Sequence, residues 1–187
     1  MPTPTPELLR RLRLLVLDVD GTLTDGRLYY GAQGEALKAF DVRDGHGLRL
    51  LSMYTGMRLA VLTGRRADLV QARCSELSIH PVVGSARDKG RALRELCASV
   101  GVPLEETAFM GDDVNDLPAL RLCALSACPS DAVAEVLREC SYIAPHQGGR
   151  GAVRALCELI LEARVGWPPP DDAPVLQEVA PKAPRAP

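Results

Sequence analysis

The stretch Leu14-Leu15-Val16-Leu17-Asp18-Val19-Asp20-Gly21-Thr22-Leu23-Thr24 limits the fold more than any other part of the chain. Four apolar residues without alternation read as a strand buried on both faces, as in the middle of a parallel sheet. Two aspartates close its C-terminal end, the edge at which open α/β sheets carry their chemistry. Side chains alternate along extended backbone, so Asp18 and Asp20 start on the same side. Gly21 then allows a tight turn. An ordinary Asp/Gly turn accounts for one aspartate. It accounts poorly for a second two residues on, because crowded carboxylates repel unless a cation or proton lies between them.

The remaining pattern is α/β. Strands are expected at residues 13–18, 58–62, 81–83, 107–110, 123–127 and 141–144. Helices are expected at 48–54, 68–77, 88–100, 117–122, from a cap at Asp131 through 137, and at 151–164. In the helix over 88–100, Leu93, Leu96, Cys97 and Val100 recur at spacings of three and four, and Gly101 is a fitting stop. Such alternation implies a Rossmann-like parallel sheet with helices on both faces. Residues 26–41 form a small insertion, a β-hairpin around Gly31 and Gly34. It is too small for a domain and suits a flap, or an edge that pairs with another subunit. Residues 42–47 read as a polar, glycine-rich turn.

The 187 residues suit one domain with a full core, expected over 8–165. Residues 1–7, where Pro and Thr alternate, read as a frayed start. From Gly166 onward Pro168, Pro169, Pro170, Pro174, Pro181, Pro184 and Pro187 imply an extended or disordered tail. A formal charge of −2 gives no field that would draw in nucleic acid or an anionic membrane. No signal peptide or bilayer-spanning run is evident, so a soluble, cytoplasmic protein is expected. The six cysteines form no Cys-x-x-Cys pair, which argues for buried free thiols in a reducing compartment and against a zinc site.

Three expected strand ends carry polar motifs: Asp18/Asp20, then Thr63, then Asp112/Asp113/Asp116. In a parallel sheet these ends share one edge, and Lys89, opening the next helix, reaches it too. Carboxylates from two strand ends suit Mg²⁺, which prefers hard oxygen ligands. A lysine and a hydroxyl suit phosphate oxygens. Asp18 is then placed to attack phosphorus. Asp20 can protonate the leaving oxygen and later deprotonate water. Singly, Thr63 reads as structural, Lys89 as an exposed helix residue and Asp116 as a cap for the helix at Leu117. Their order and shared edge are what speak for chemistry. No Gly-x-x-x-x-Gly-Lys loop suggests a nucleoside triphosphate.

Asp18-Val19-Asp20-Gly21-Thr22, Thr63-Gly64, Lys89 and Gly111-Asp112-Asp113-Val114-Asn115-Asp116 resemble the four motifs of the haloacid dehalogenase superfamily of Mg²⁺-dependent phosphatases with an aspartate nucleophile. Three further stretches resemble its 3-deoxy-D-manno-octulosonate 8-phosphate phosphatase family. They are residues 31–47, Thr63-Gly64-Arg65-Arg66-Ala67, and Gly148-Gly149-Arg150-Gly151-Ala152-Val153-Arg154. The resemblance covers residues 8 to 165. It implies Asp18 as nucleophile and metal ligand, Asp20 as acid/base with its backbone carbonyl on the metal, and Asp112 as the second metal carboxylate. Asp113 and Asp116 become supporting groups, and Thr63, Gly64 and Lys89 phosphate binders. Arg65 and Arg73 match positions that meet the sugar acid, with Arg43 and Arg150 as candidates for its carboxylate. The family is capless and usually tetrameric, its hairpins forming a central barrel. The implied reaction belongs to lipopolysaccharide precursor synthesis.

The chain departs from the family at Ala155, where Glu often follows Arg154, and in its Pro-rich tail. Relatives acting on nine-carbon sugar-acid 9-phosphates share Asn115-Asp116-Leu117-Pro118 but tend to carry Glu where this chain has Arg65. The eight-carbon substrate is therefore expected, with the nine-carbon acid as the alternative. A non-catalytic oligomerisation module, known among relatives, would be marked by loss of the nucleophile; Asp18, Asp20, Lys89 and Asp112 are all present.

Overall fold

The computed structural model describes residues 4–176. Residues 177–187, half of the Pro-rich tail, lie outside the described residues. The central layer is a six-stranded parallel sheet of order β5-β4-β1-β6-β7-β8. Its strands are β1 (Leu14–Leu17), β4 (Arg58–Leu62), β5 (Val82–Val83), β6 (Thr107–Met110), β7 (Leu125–Cys128) and β8 (Tyr142–Ile143). A separate antiparallel pair, β2 (Tyr29–Gly31) and β3 (Gly34–Leu37), forms the hairpin. The helices are α1 (Pro6–Arg11), α2 (Val42–Thr55), α3 (Asp68–Glu76), α4 (Lys89–Val100), α5 (Leu117–Leu120), α6 (Ala134–Glu139) and α7 (Ala152–Arg164).

The apolar runs explain the layering. Every residue of β1 is buried, and the strand sends alternate side chains to two cores. Leu15 and Leu17 join Leu59 and Val61 of β4 in one core. Leu48 and Leu51 of α2, Val70 of α3, and Val153, Leu156 and Ile160 of α7 cover that face. Leu14 and Val16 join Ala60, Leu62 and Phe109 in the other, beneath Leu93 and Leu96 of α4, Leu120 of α5 and Val136 of α6. The chain runs from β1 outward through β4 to β5, then returns to place β6 on the other side of β1. This reversal lies between β1 and β6, where Asp18 and Asp112 emerge, and such switch points are where doubly wound sheets bind ligands.

Four details differ from the sequence reading. Residues 6–11, partly assigned to a frayed start, form α1, because Thr5 Oγ1 accepts from Leu8 N–H at 3.3 Å and Pro6 occupies the first turn. The glycine-rich segment 42–47 is not a turn but the start of α2, capped by the Asp41 carboxylate. Its glycines leave room for neighbours: a Cβ at Gly45 would lie 2.1 Å from Arg73 Nη2, and one at Gly47 2.8 Å from Arg154 Cδ. Asp131 does not cap α6; its carboxylate instead accepts from Gly148 N–H at 2.9 Å. Asp116 makes no side-chain cap on α5. The six cysteines are free and all but Cys123 are buried. Among the described residues no helix is long and apolar enough to cross a membrane. Past α7, Trp167 lies under the Arg154 guanidinium at 5.0 Å, and Leu176 N–H donates to the Met53 carbonyl at 2.8 Å.

Candidate active site

The backbone ladder carries Asp18 directly off the sheet: its N–H donates to the Met110 carbonyl of β6 at 2.9 Å. One residue past Gly111 stands Asp112. Carboxylate oxygens of Asp18, Asp112 and Asp116 lie within 4.8 Å of one another. Lys89, at the first turn of α4 and 1% exposed, bridges two of them. Its Nζ donates to Asp18 Oδ1 at 2.7 Å and to Asp116 Oδ1 at 2.5 Å. Asp116 is spent on structure, since its Oδ2 accepts from the backbone N–H of Asp112 (3.0 Å) and Asp113 (3.2 Å). Asp113 is exposed and caps the short turn over Val114–Asp116, accepting from Val114 N–H at 2.7 Å. Thr22 Oγ1 donates to Asp112 Oδ1 at 3.2 Å.

Three acids against one ammonium leave the cluster short of positive charge. Burial, reinforced by Asp116, pushes the Asp18 carboxyl up to about 7 despite Lys89. Burial, then Asp18 and Asp116, push Asp112 up to about 8. Burial alone would lower the Lys89 ammonium, but Asp18 and Asp116 outweigh it and raise it. An all-oxygen donor set this close, with Asp18 and Asp112 pushed up by burial and by repulsion within the cluster, fits a hard divalent cation.

Close backbone approach keeps the cluster tight. Gly21 has φ +91°, and a Cβ there would lie 2.0 Å from Asp112 Oδ2. The segment 148–151 then packs on the loop after β1. A Cβ at Gly148 would meet the Gly21 carbonyl oxygen at 1.7 Å, and Gly149 N–H donates to the Thr22 carbonyl at 3.0 Å. Asp44 of α2 pins this segment from below, accepting from Gly151 N–H at 3.2 Å and Arg154 N–H at 2.7 Å.

Thr63 closes β4 and is buried, its Oγ1 accepting from Arg65 N–H at 3.2 Å. Gly64 and Arg65 line a cavity of about 640 Å³ together with Tyr30 and Glu35 of the hairpin and Arg66 and Arg87. Arg65 donates to Glu35 Oε2 through Nε (3.1 Å) and Nη2 (2.9 Å). Asp20 stands apart from the three-carboxylate cluster, and its Oδ1 accepts from Lys38 Nζ of the hairpin. The other arginines singled out from the sequence pair elsewhere: Arg43 with Asp41 (2.7 Å), Arg73 with Glu76 (2.9 Å) and Arg150 with Asp25 (3.6 Å). Sequence reasoning did not single out Lys38 and Glu35 as site residues. Their only signal is an oppositely charged pair three residues apart on the hairpin.

A doubly wound sheet whose switch point gathers Asp18, Lys89 and Asp112 defines the class of haloacid dehalogenase-like hydrolases. The family model of that description matches residues 74–156. The 3-deoxy-D-manno-octulosonate 8-phosphate phosphatase of Yersinia pestis is 43% identical over 153 residues, 82% of this chain and 81% of the relative. A crystal structure of that phosphatase from Yersinia pestis superimposes with a TM-score of 0.81 at 41% identity, covering 85% of each chain. Another, from Moraxella catarrhalis in complex with magnesium, phosphate and the sugar acid, gives 0.81 at 37% identity, over 85% of this chain and 91% of that one. The chain belongs to the 3-deoxy-D-manno-octulosonate 8-phosphate phosphatase family.

Proposed function

We propose that the protein is a Mg²⁺-dependent phosphatase that hydrolyses 3-deoxy-D-manno-octulosonate 8-phosphate to 3-deoxy-D-manno-octulosonate and phosphate, a step in lipopolysaccharide precursor synthesis. The observation that carries this reading is the pair Asp18 and Asp112 at neighbouring strand ends with Lys89 bonded to Asp18. Asp18, Asp112 and the Asp20 backbone carbonyl would hold Mg²⁺, which offsets the repulsion between nucleophile and phosphoryl group. Asp116, whose oxygens are already committed, supports the cluster together with Asp113.

An Asp18 carboxylate oxygen attacks phosphorus as the bond to the sugar oxygen breaks. Asp20 gives that oxygen its proton. A water then attacks the aspartyl-phosphate, its proton returns to Asp20, and phosphate leaves with Asp18 regenerated. Lys89, the Thr63 hydroxyl and the Gly64 backbone bind the phosphoryl oxygens. Arg65 would meet the sugar acid in the cavity it lines with Arg66 and Arg87, whose volume suits a small ligand; Arg65 and Arg66 are paired there with Glu35 and Asp68. Arg43, Arg73 and Arg150 reach substrate only by exchanging their present carboxylate partners.

Residues 8–165 form the catalytic unit. The assembly is a homotetramer built through the hairpin, a reading supported by Leu28, Tyr29, Tyr30, Leu37 and Val42, all exposed on or beside it. The six free thiols favour a reducing cytoplasm. The test is phosphate release from 3-deoxy-D-manno-octulosonate 8-phosphate and from nine-carbon 9-phosphates with Mg²⁺. Preference for the eight-carbon substrate is expected. Equal or better turnover of a nine-carbon acid would shift the assignment to the alternative, and no turnover of either would refute it.

A further inference from the structure

The side chain of Lys38 is 2% exposed, although it follows directly on Leu37, which is 51% exposed. An ammonium is buried at a hairpin end only where anions hold it. Two do so here. Lys38 Nζ donates to Asp20 Oδ1 and lies 2.6 Å from Glu35 Oε1 as an ion pair. The other oxygen of Glu35 takes both donors of Arg65. A chain of alternating charge, Arg65–Glu35–Lys38–Asp20, therefore runs from the end of β4, across the hairpin, to the loop after β1. Asp20 Oδ2 is buried with no hydrogen-bond partner among the described residues.

We propose that Lys38 is a positioning residue for proton transfer by Asp20, with Glu35 holding Lys38 in place. The inference rests on the reading of Asp20 as the proton carrier. Lys38 occupies Oδ1 with a donor, so a proton on this carboxyl sits on Oδ2, the oxygen that no group of the described residues bonds. The bond also fixes the torsion of the Asp20 side chain, and proton transfer depends steeply on that placement. Glu35 keeps the ammonium from swinging toward other anions, and Arg65 steadies Glu35. The hairpin thus has a part in the chemistry of its own chain, separate from any contact with another subunit.

The dependence on leaving group tests this. A sugar alkoxide needs a proton to depart, whereas p-nitrophenolate departs without one. The quantity to compare is kcat/KM, which covers the steps up to the aspartyl-phosphate. For Lys38→Met, kcat/KM on the sugar-acid phosphate is expected to fall at least about tenfold, a fraction of the ~10²–10⁴ that positioned acid–base catalysis supplies. On p-nitrophenyl phosphate it stays within about threefold. That retained turnover also shows that the variant is folded. Glu35→Gln is expected to show the same substrate selectivity with a smaller loss, and it carries the test if Lys38→Met does not fold. Equal losses on the two substrates for both variants would mean that Lys38 contacts the phosphoryl group or supports the fold, and would overturn the proposal. So would no loss on either substrate. Asp20→Asn, measured alongside, separates the premises. A selective loss for Asp20→Asn without one for the Lys38 and Glu35 variants rejects the positioning role alone. An unselective loss for Asp20→Asn rejects the reading of Asp20 on which the role depends.

Discussion

Stability of the metal-free protein should fall as pH rises through neutrality, and Mg²⁺ should reverse the fall. The Asp18 carboxyl, ordinarily near 3.8, sits at about 7 in the folded chain. A carboxyl whose folded pKa exceeds its unfolded value holds an extra proton in the native state between the two. The native state is therefore favoured below that window and loses the advantage as pH climbs through it. From pH 5 to 7 the span is about two pKa units, or roughly 3 kcal/mol at 1.36 kcal/mol per unit. In a chain of this size 1 kcal/mol moves Tm by about 2–4 °C, so the expected drop is about 5–10 °C. Asp112, raised to about 8, adds to the same trend, as does Asp44, raised by burial. Glu35 is held below its ordinary value of 4.5, because its bonds to Lys38 and Arg65 outweigh burial, and Asp41 is held below 3.8 by Arg43. These two act with the opposite sign, but in more acid solution. The assay is a thermal melt at pH 5, 6, 7 and 8, in EDTA and in saturating Mg²⁺. The gap between the two curves should widen with pH, because the cation replaces protons that the acids otherwise retain. A Tm in EDTA that is flat or rises from pH 5 to 8, or a Mg²⁺ increment that does not change with pH, would refute the reasoning.

Gly148→Ala forces a methyl into the Gly21 carbonyl, so the loop after β1 must shift; kcat should fall by about 10²-fold, read by phosphate release, and Tm should fall with it, because the clash is with backbone. Arg65→Glu sets two carboxylates face to face where Arg65 now meets Glu35, and should move preference toward the nine-carbon 9-phosphate. Unchanged relative kcat/KM for the two acids would show that specificity lies elsewhere. Leu156→Ala, in the core between α7 and the sheet, should destabilise by about 2–5 kcal/mol in urea while leaving kcat of the folded fraction intact.

The sheet and the strand-end acids are legible in the sequence because both faces of the sheet are covered. Leu14–Leu17 and Arg58–Leu62 then appear as apolar runs, and whatever polar residue follows a run marks the functional edge. The start of α2 is illegible for a reason of packing. Gly45 and Gly47 carry the composition of a turn, yet they are glycines because Arg73 and Arg154 pack against them. Asp131 sits where a cap belongs, but its partner Gly148 lies 17 residues away. Asp116 bonds the local backbone N–H of Asp112 and Asp113, yet its other oxygen meets Lys89, 27 residues away, and local pattern says nothing of such distant pairs. The chain Arg65–Glu35–Lys38–Asp20 is hidden for the same reason. Asp20 and Arg65 are marked by their motifs, but Glu35 and Lys38 look like solvated charges until the hairpin folds over the loop after β1.

The central claim is that Asp18 becomes phosphorylated. An acyl phosphate is reduced by borohydride to an alcohol, which converts a phosphorylated aspartate to homoserine. The direct measurement is quenching of the enzyme during turnover of 3-deoxy-D-manno-octulosonate 8-phosphate with Mg²⁺, reduction, and peptide mass spectrometry. The expected result is homoserine at position 18, dependent on substrate and Mg²⁺ and lost in Asp18→Asn together with turnover. Trapping at Asp20 or Asp112 instead, or full activity in Asp18→Asn, would contradict the account.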